Sequence, residues 1–317
     1  MVDASVIIPS HNRRELLEYS LAYILNQSVD NYEVILIDDA STDGTHNLIE
    51  NLKYFTPHQS NSWCGARISK LRYIRLEKQS GPYVARNIGI RKAKGDIIIF
   101  MDSDVLVHPR FVEEHISIHK RRDKTILQGM VHHIKHPGWY NFKFSFPNAI
   151  FFGLFVSQNT SVRKKYLLEV SGFDESLGGH IGFKDIELGL RLQKKGLKFL
   201  YGIRTCRAYH VDKPYGRVRL SEYVQKNYER GYSAAYFVAK HGTEAERIAR
   251  TGRTLFFSRF FNTQSWVEKE STMGTLERLV DSPIIPLFPF WRKVVKYHYR
   301  AKGIRKALRE RGVDSKE

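Results

Sequence analysis

The chain has 317 residues, 42% of them hydrophobic and 26% charged, and its 51 Lys and Arg exceed 33 Asp and Glu to give a formal charge of +18. This is a globular mixture that excludes disorder, collagen-like repetition and a disulfide-stapled miniprotein, and the length suits one large domain with a smaller appendage. The positive excess points to an anionic partner, with nucleic acid, an acidic membrane surface and phosphorylated substrates all qualifying. No apolar run approaches the roughly 20 residues of a membrane span, and the first residues enter a strand pattern without a basic leader, so a cytoplasmic protein is expected. Cys64 and Cys206 are far apart and lack metal-ligand spacing, which supports neither a disulfide framework nor a structural zinc.

In chain order, Ser5 to Pro9 is a β-branched strand run, and Asn12 stands three residues before Glu15 in a capping-box spacing, ahead of a helical pattern through Leu16, Leu17, Leu21, Ile24 and Leu25. Val34 to Ile37 is a second strand ending in Asp38 and Asp39, followed by a helix from Thr45 to Leu52. A polar stretch over 53–70 reads as a surface loop. Arg72 to Leu76, Pro82 to Ala93 behind Gly81, and Asp96 to Met101 then predict strand, helix and strand. This alternation implies an α/β fold around a mainly parallel, doubly wound sheet. Such sheets bind ligands beyond the carboxyl ends of their strands, where His11-Asn12-Arg13, Asp38-Asp39 and Asp102-Ser103-Asp104 all fall.

Residues 138–156 are dense in aromatics, fitting either core packing or an acceptor-binding wall, and Asn159 to Arg163 reads as a strand. Beyond Tyr215 the pattern turns helical and basic. Ile284 to Trp291 is apolar, and residues 292–317 hold ten Lys or Arg against three Asp or Glu, a net of +7. Such a segment matches an interfacial membrane anchor or a packed helix with a solvated basic face.

Two carboxylates at Asp102 and Asp104, two residues apart after a buried strand, suit Mg²⁺ or Mn²⁺ together with diphosphate oxygens. The plainer reading is a pair of turn aspartates ahead of the helix that begins near Pro109.

Four blocks, Ser5 to Asn12, Asp38 to Thr45, Gly81 to Gly89 and Phe100 to Asp104, in this order and spacing closely resemble the family 2 glycosyltransferases of GT-A fold. The resemblance continues through Gly172-Phe173-Asp174-Glu175 and Gly182 to Leu192. It implies a catalytic domain over residues 1–215, with a donor half to about residue 107 and an acceptor half over 108–215, and it leaves 216–317 as a helical basic extension. It also implies a nucleotide-sugar donor, usually a UDP-sugar, with Pro9, His11 and Arg13 lining the base pocket and Asp39 accepting a hydrogen bond from the base. Gly81, Arg86 and the Asp102-Ser103-Asp104 triplet would face the sugar diphosphate, Arg86 lying near the phosphates or Asp102. His11 replaces a frequent Tyr.

The same resemblance assigns Mn²⁺ or Mg²⁺ to Asp104, with Asp102 and His210 as further ligands, and makes Asp185 the base that deprotonates the acceptor. Asp185 could instead merely cap the helix running to Lys194, and His210 could be a structural histidine. Glu187, two positions on, would face elsewhere on a helix. Lys184 stands where the family usually has Glu. The implied reaction is inverting transfer to a saccharide, or to a lipid-linked saccharide if the segment from Ile284 onward is an anchor on an anionic membrane surface rather than a packed helix. A catalytically silent sugar-binding relative is the alternative. A nucleotidyltransferase lacks a triphosphate loop here, and nucleic-acid binding lacks any recognised signature.

Overall fold

The computed structural model describes residues 2–54, 68–134, 155–176, 182–202, 206–211, 220–265, 267, 269, 275 and 288–311. Most of the polar stretch and aromatic run read from the sequence, together with Cys64 and residues 284–287, lies outside the described residues. The chain divides into two compact units, one of Met1–Asp174 with Asp185–Lys213 and one of Glu175–Lys184 with Pro214–Glu317.

The first unit contains β1 (Ala4–Ser10), α1 (Arg14–Ile24), β2 (Tyr32–Asp38), α2 (Thr45–Tyr54), β3 (Leu71–Arg75), α3 (Pro82–Lys92), β4 (Ile97–Met101), β5 (Val105–Val107), α4 (Phe111–Arg121), β6 (Thr125–Gly129), β7 (Val131–Ile134), β8 (Asn159–Arg163), α5 (Lys164–Glu169), α6 (Lys184–Lys194), β9 (Lys198–Gly202) and β10 (Ala208–Val211). Seven strands form one sheet in the order β3-β2-β1-β4-β8-β6-β9, and β5-β10-β7 form a second. In the large sheet β8 alone runs antiparallel to its neighbours, against β4 and β6.

Both faces of this sheet are covered, which explains why its strands read as unbroken apolar runs. Val6, Ile8, Val34, Leu36, Ile97 and Ile99 pack with Leu17, Leu21 and Ile24 of α1 and Phe111 of α4. The alternate residues Ile7, Ile35, Ile37, Ile98 and Phe100 pack with Ile90 of α3 and Leu188 and Leu192 of α6. Strand order reverses at β1, which lies between β2 and β4, and that reversal opens a crevice at the carboxyl ends.

The capping box expected at Asn12 does not form. Asn12 has φ 51° and precedes the helix cap, Arg13, which makes no side-chain capping bond. The Arg14 amide instead donates to Asp43 Oδ2 at 2.8 Å. A carboxylate from the next loop thus replaces the local partner.

A buried polar chain ties α4 to β8. Asn159 Nδ2 donates to the Met130 and Cys206 carbonyls, so its Oδ1 must accept from His115 Nε2 at 3.1 Å. His115 Nδ1 then accepts from Ser161 Oγ at 2.7 Å, and His119 Nε2 donates to the same hydroxyl at 2.8 Å. Both imidazoles are neutral in this arrangement. Burial lowers His115 to about 3, helped by His119, and burial lowers His119 to about 4, helped by Arg163. An unfolded His binds its proton near pH 6.5, so below that pH the unfolded chain takes up protons that the native state refuses. Stability is therefore expected to fall as pH drops from about 6.5 towards 4, by up to ~1.4 kcal/mol per pH unit for each His. Urea unfolding of wild type and His115→Gln at pH 7 and pH 5 checks this; equal losses in both proteins would count against it.

The second unit contains α7 (Leu220–His241), α8 (Thr243–Ala249), α9 (Thr251–Phe260) and α10 (Phe288–Glu310). The resemblance put residues 175–184 in the catalytic domain; the structure places them in this unit. The reason is contact: Phe183 stacks on Phe237 of α7 at 5.3 Å, and a Cβ on Gly182 would lie 2.6 Å from Ser233 Cβ. Helices α7 and α10 meet through glycines. A Cβ on Gly231 would stand 2.0 Å from the Arg300 carbonyl oxygen, and one on Gly303 2.1 Å from that of Tyr228. Gly231→Ala is thus expected to lose about 1–3 kcal/mol, because backbone overpacking outweighs the ~1 kcal/mol helix-propensity gain of Ala. A higher midpoint in chemical unfolding would contradict this close crossing. No helix among the described residues is long and apolar enough to cross a membrane.

Candidate functional site

The loops after β1 and β2 are stitched to each other. The Asn12 amide donates to Ser41 Oγ at 3.0 Å, and the Thr42 amide donates to Asn12 Oδ1 at 2.8 Å. His11 Nδ1 lies 2.7 Å from the Asp39 carbonyl, which can only accept, so Nδ1 carries the proton and Nε2 is left as an acceptor. Pro9 sits in β1 opposite Ile37, beyond Ile7, where the pairing with β4 ends. Its missing N–H therefore costs no ladder bond on that side.

Asp39 is buried, and its two oxygens accept the amides of Ser80 at 2.6 Å and Gly81 at 2.8 Å. The carboxylate thereby stabilises the positive end of α3, while each oxygen keeps a lone pair for a further donor. Gly81 has φ 91° at this cap, a conformation a side chain resists, so the turn that aims its N–H at Asp39 requires glycine.

Arg86 of α3 links the acidic groups. It is 4% exposed, and its Nη2 donates to Asp102 Oδ1 at 2.5 Å. Its guanidinium lies 5.4 Å from the Tyr83 ring and 5.8 Å from that of Phe173. Burial works against the charge, but Asp102 and Asp185 outweigh it and hold the Arg86 pKa above its ordinary value.

Asp185 lies in the first turn of α6. Its Oδ1 is shut away from solvent without a hydrogen-bond partner, and Ser157 supplies both a side-chain and a backbone hydrogen bond to the carboxylate. Burial pushes its pKa up to about 6, assisted by the charge of Asp102 and opposed by Arg86 and Ser157. That places a carboxylate where it is ionised near neutral pH yet basic enough to take a proton. Glu187 is not equivalent. It is fully buried and accepts from Arg191 Nε at 2.8 and 2.9 Å and from Nη2 at 2.6 Å. Arg191 also donates to the Gly172 carbonyl at 2.7 Å, so this pair anchors the loop before Phe173.

Asp104 and His210 meet because β10 pairs antiparallel with β5, His210 opposite Val105, and the Val211 amide donates to the Asp104 carbonyl at 2.9 Å. His210 Nε2 is 3.4 Å from Asp104 Oδ1, and Arg13 Nη1 is 3.8 Å from Asp104 Oδ2. Burial raises the Asp104 pKa, with Asp102 adding to the rise while His210 and Arg13 oppose it. Ser103 is held between the two acids by Ser20 Oγ, which donates to its carbonyl at 2.9 Å.

Neighbouring ligands of a six-coordinate ion lie about 3 Å apart, so an imidazole nitrogen and a carboxylate oxygen at this separation fit one divalent cation. Asp102 has Oδ1 committed to Arg86, which leaves its other oxygen for any ligand role. Among the described residues no group of three or more His, Cys, Asp or Glu is arranged to hold a metal. Asp104 and His210 are, among the described residues, the pair at ligand-to-ligand separation, and further donors such as phosphate oxygens would have to complete the set.

Two neighbours of the site escaped the sequence reading. Ser157 has no local motif, and only its contact with Asp185 reveals it. His133, passed over in the sequence, pairs with His210 across β7 and β10, their rings 5.2 Å apart.

The family model for Glycosyl transferase family 2 matches residues 5–176, more than half of the chain. The chain belongs to that family. It is 26% identical over 255 residues to the uncharacterized glycosyltransferase YfnE of Bacillus subtilis, covering 62% of each protein. It is 32% identical over 134 residues to the poly(ribitol-phosphate) beta-N-acetylglucosaminyltransferase TarP of Staphylococcus aureus, covering 41% of this chain and 36% of TarP. The match thus spans less than two thirds of either relative.

Among solved structures, that of S. aureus TarS 1–349 with UDP-GlcNAc has a TM-score of 0.56 at 16% identity, covering 99% of this chain and 93% of TarS. The mannosyltransferase PcManGT of Pyrobaculum calidifontis, with GDP-Man and Mn2+, has a TM-score of 0.58 at 17% identity, covering 97% of this chain and 87% of its own. These likenesses show the GT-A fold.

Proposed function

We propose that this protein is an inverting, metal-dependent glycosyltransferase that moves a sugar from a nucleotide-diphosphate sugar, a UDP-sugar by preference, to a hydroxyl of a saccharide or lipid-linked saccharide. It works peripherally at the cytoplasmic face of a membrane. The observation that carries the transferase reading is a run of mutually interacting charges: Arg86 bonded to Asp102, Asp104 beside His210 and within the field of Asp102, and Asp185 within the field of both Arg86 and Asp102 with its pKa raised to about 6. The donor sugars in the TarS and PcManGT structures, and the Mn2+ in the latter, support the donor class and a divalent cation.

In this reading the acceptor oxygen attacks the anomeric carbon on the face opposite the diphosphate. The new C–O bond forms as the glycosidic C–O bond breaks, and its electron pair leaves with the diphosphate. Asp185 accepts the acceptor's proton, and an α-linked donor gives a β-linked product. Asp104 and His210 would hold Mn²⁺ or Mg²⁺, which when bound supplies Lewis-acid stabilisation of the departing charge. Arg86 keeps Asp102 oriented and limits the repulsion between the acids. Asp39 and the stitched β1 and β2 loops form a fixed floor for the base.

A thermal-shift panel of UDP, GDP and their sugars, with and without Mn²⁺, tests the proposal. A ligand of the folded form present at about a hundredfold above its Kd adds ~2.7 kcal/mol of stability. A nucleotide-sugar shift that needs Mn²⁺ is expected; no shift from any nucleotide under any metal condition would sink the donor assignment.

A further inference from the structure

Helix α9 carries its polarity inside out. Its buried residues are Thr251, Thr254 and Ser258. These are satisfied polar groups: Thr254 Oγ1 donates to the Arg250 carbonyl at 3.1 Å, Ser258 Oγ lies 2.8 Å from Thr263 Oγ1, and Arg305 Nη2 donates to Ser258 Oγ at 3.2 Å. The outer face presents Phe256 and Phe260, 68% and 71% exposed, one helical turn apart and stacked at 6.0 Å. Phe261 adds an edge contact to Phe260 at 5.1 Å and is 37% exposed. An ordinary surface helix turns its aromatics inward, and contiguous large apolar side chains in solvent mark an interaction surface.

The patch stands on a firm base. Phe257 packs against Tyr297 of α10 at 4.3 Å and against Phe261 at 4.5 Å, so Phe261 is held from beneath and in turn abuts Phe260. Cations outnumber acids around it. Arg250, Arg253 and Arg259 are exposed and Lys293 is exposed one turn before Tyr297, while Glu246, which accepts from Thr251 and Gly252 at the start of α9, is the acid bonded to this helix.

The charge selects the occupant. A second copy of this chain would bring the same arginines against themselves, whereas an anionic surface would be attracted. Three adjoining phenyl rings offer a continuous apolar face that hydrocarbon matches and a phosphate backbone does not. Aromatic side chains beside cationic ones are the composition of a helix lying in the lipid headgroup region.

We propose that α9 docks the protein on an anionic lipid surface, with Phe256, Phe260 and Phe261 entering the headgroup–acyl boundary and Arg253 and Arg259 meeting lipid phosphates. The inference deepens the peripheral location proposed above and rests on it. It is read without donor or acceptor, so its failure leaves the transferase assay untouched.

The test is co-sedimentation of the full chain with vesicles of phosphatidylcholine alone or with about 30% phosphatidylglycerol, at low and high salt. Wild type is expected to bind the anionic vesicles in a salt-sensitive way and to ignore the neutral ones. Phe256→Ser with Phe260→Ser is expected to weaken binding about tenfold or more, from the apolar area withheld from lipid. Should that variant fold poorly, Phe256→Trp supplies the readout: after subtraction of the wild-type spectrum, to which four native tryptophans contribute, the difference emission of the added indole shifts to the blue with anionic vesicles and is quenched by brominated lipid chains. Absent binding, equal binding to both vesicles, an undiminished serine variant or an unshifted emission from the Phe256→Trp protein would each overturn the proposal. So would a concentration-dependent dimer that the serine variant dissolves, or displacement from vesicles by DNA with Phe256 and Phe260 protected.

Discussion

Asp185→Asn is expected to lower kcat by about 10²–10⁴-fold, the range that a positioned general base contributes, while leaving Mn²⁺-dependent nucleotide-sugar binding close to wild type. The amide keeps the shape of the carboxylate but cannot take a proton. Because burial raises Asp185 to about 6, kcat in the wild type should rise with pH below about 6 and level off above it, as the base becomes ionised. An aspartate at its ordinary 3.8 would put that limb about two pH units lower. Ser157 lowers the Asp185 pKa through its hydrogen bonds, so Ser157→Ala is expected to move the limb upward while leaving the plateau largely intact. Single-turnover assays at saturating donor across pH 5 to 8 read both effects. Near-normal transfer by Asp185→Asn would remove Asp185 from the chemistry.

The alternation of strands and helices to residue 101 was legible because burial on both sheet faces leaves an unmistakable signature in β1, β2 and β4. The same sheet made the candidate residues legible, since the polar residues that follow those strands share one edge. What stayed hidden depended on distant partners. Asn12 has the spacing of a cap, yet its side chain accepts from Thr42, thirty positions away. Residues 175–184 carry no boundary signal, and among the described ones the stacking of Phe183 on Phe237 and the close approach of Gly182 to Ser233 join them to the second unit. Asp39 reads as a ligand-facing acid, while the structure reveals that it also caps α3 through the Ser80 and Gly81 amides. Helix α9 shows the same dependence: its sequence reads only as part of a helical, basic stretch, and the bond that Arg305 donates to Ser258 marks the face that is buried.

Removal of Asp104 should act on a different step from removal of Asp185. Asp104→Ala takes away the carboxylate that His210 Nε2 approaches to 3.4 Å, and with it the hard oxygen donor best placed for a divalent cation. It also leaves Arg13 without the acid 3.8 Å away, so positive charge remains to attract phosphate but no carboxylate remains to hold the ion. The expected result is therefore split. Metal-independent nucleotide binding survives, the additional stabilisation brought by Mn²⁺ disappears, and kcat/KM falls by at least about 10³-fold, the loss expected when transition-state charge stabilisation is removed. His210→Ala should repeat the pattern more weakly, because a solvent molecule can replace an imidazole more readily than a charged ligand. Calorimetric titration of UDP with and without Mn²⁺, run on wild type, Asp104→Ala and Asp185→Asn together, separates the two roles. If Asp104→Ala retains the full Mn²⁺ enhancement, the cation is held elsewhere, and Asp104 acts only as a partner for Arg13 and His210.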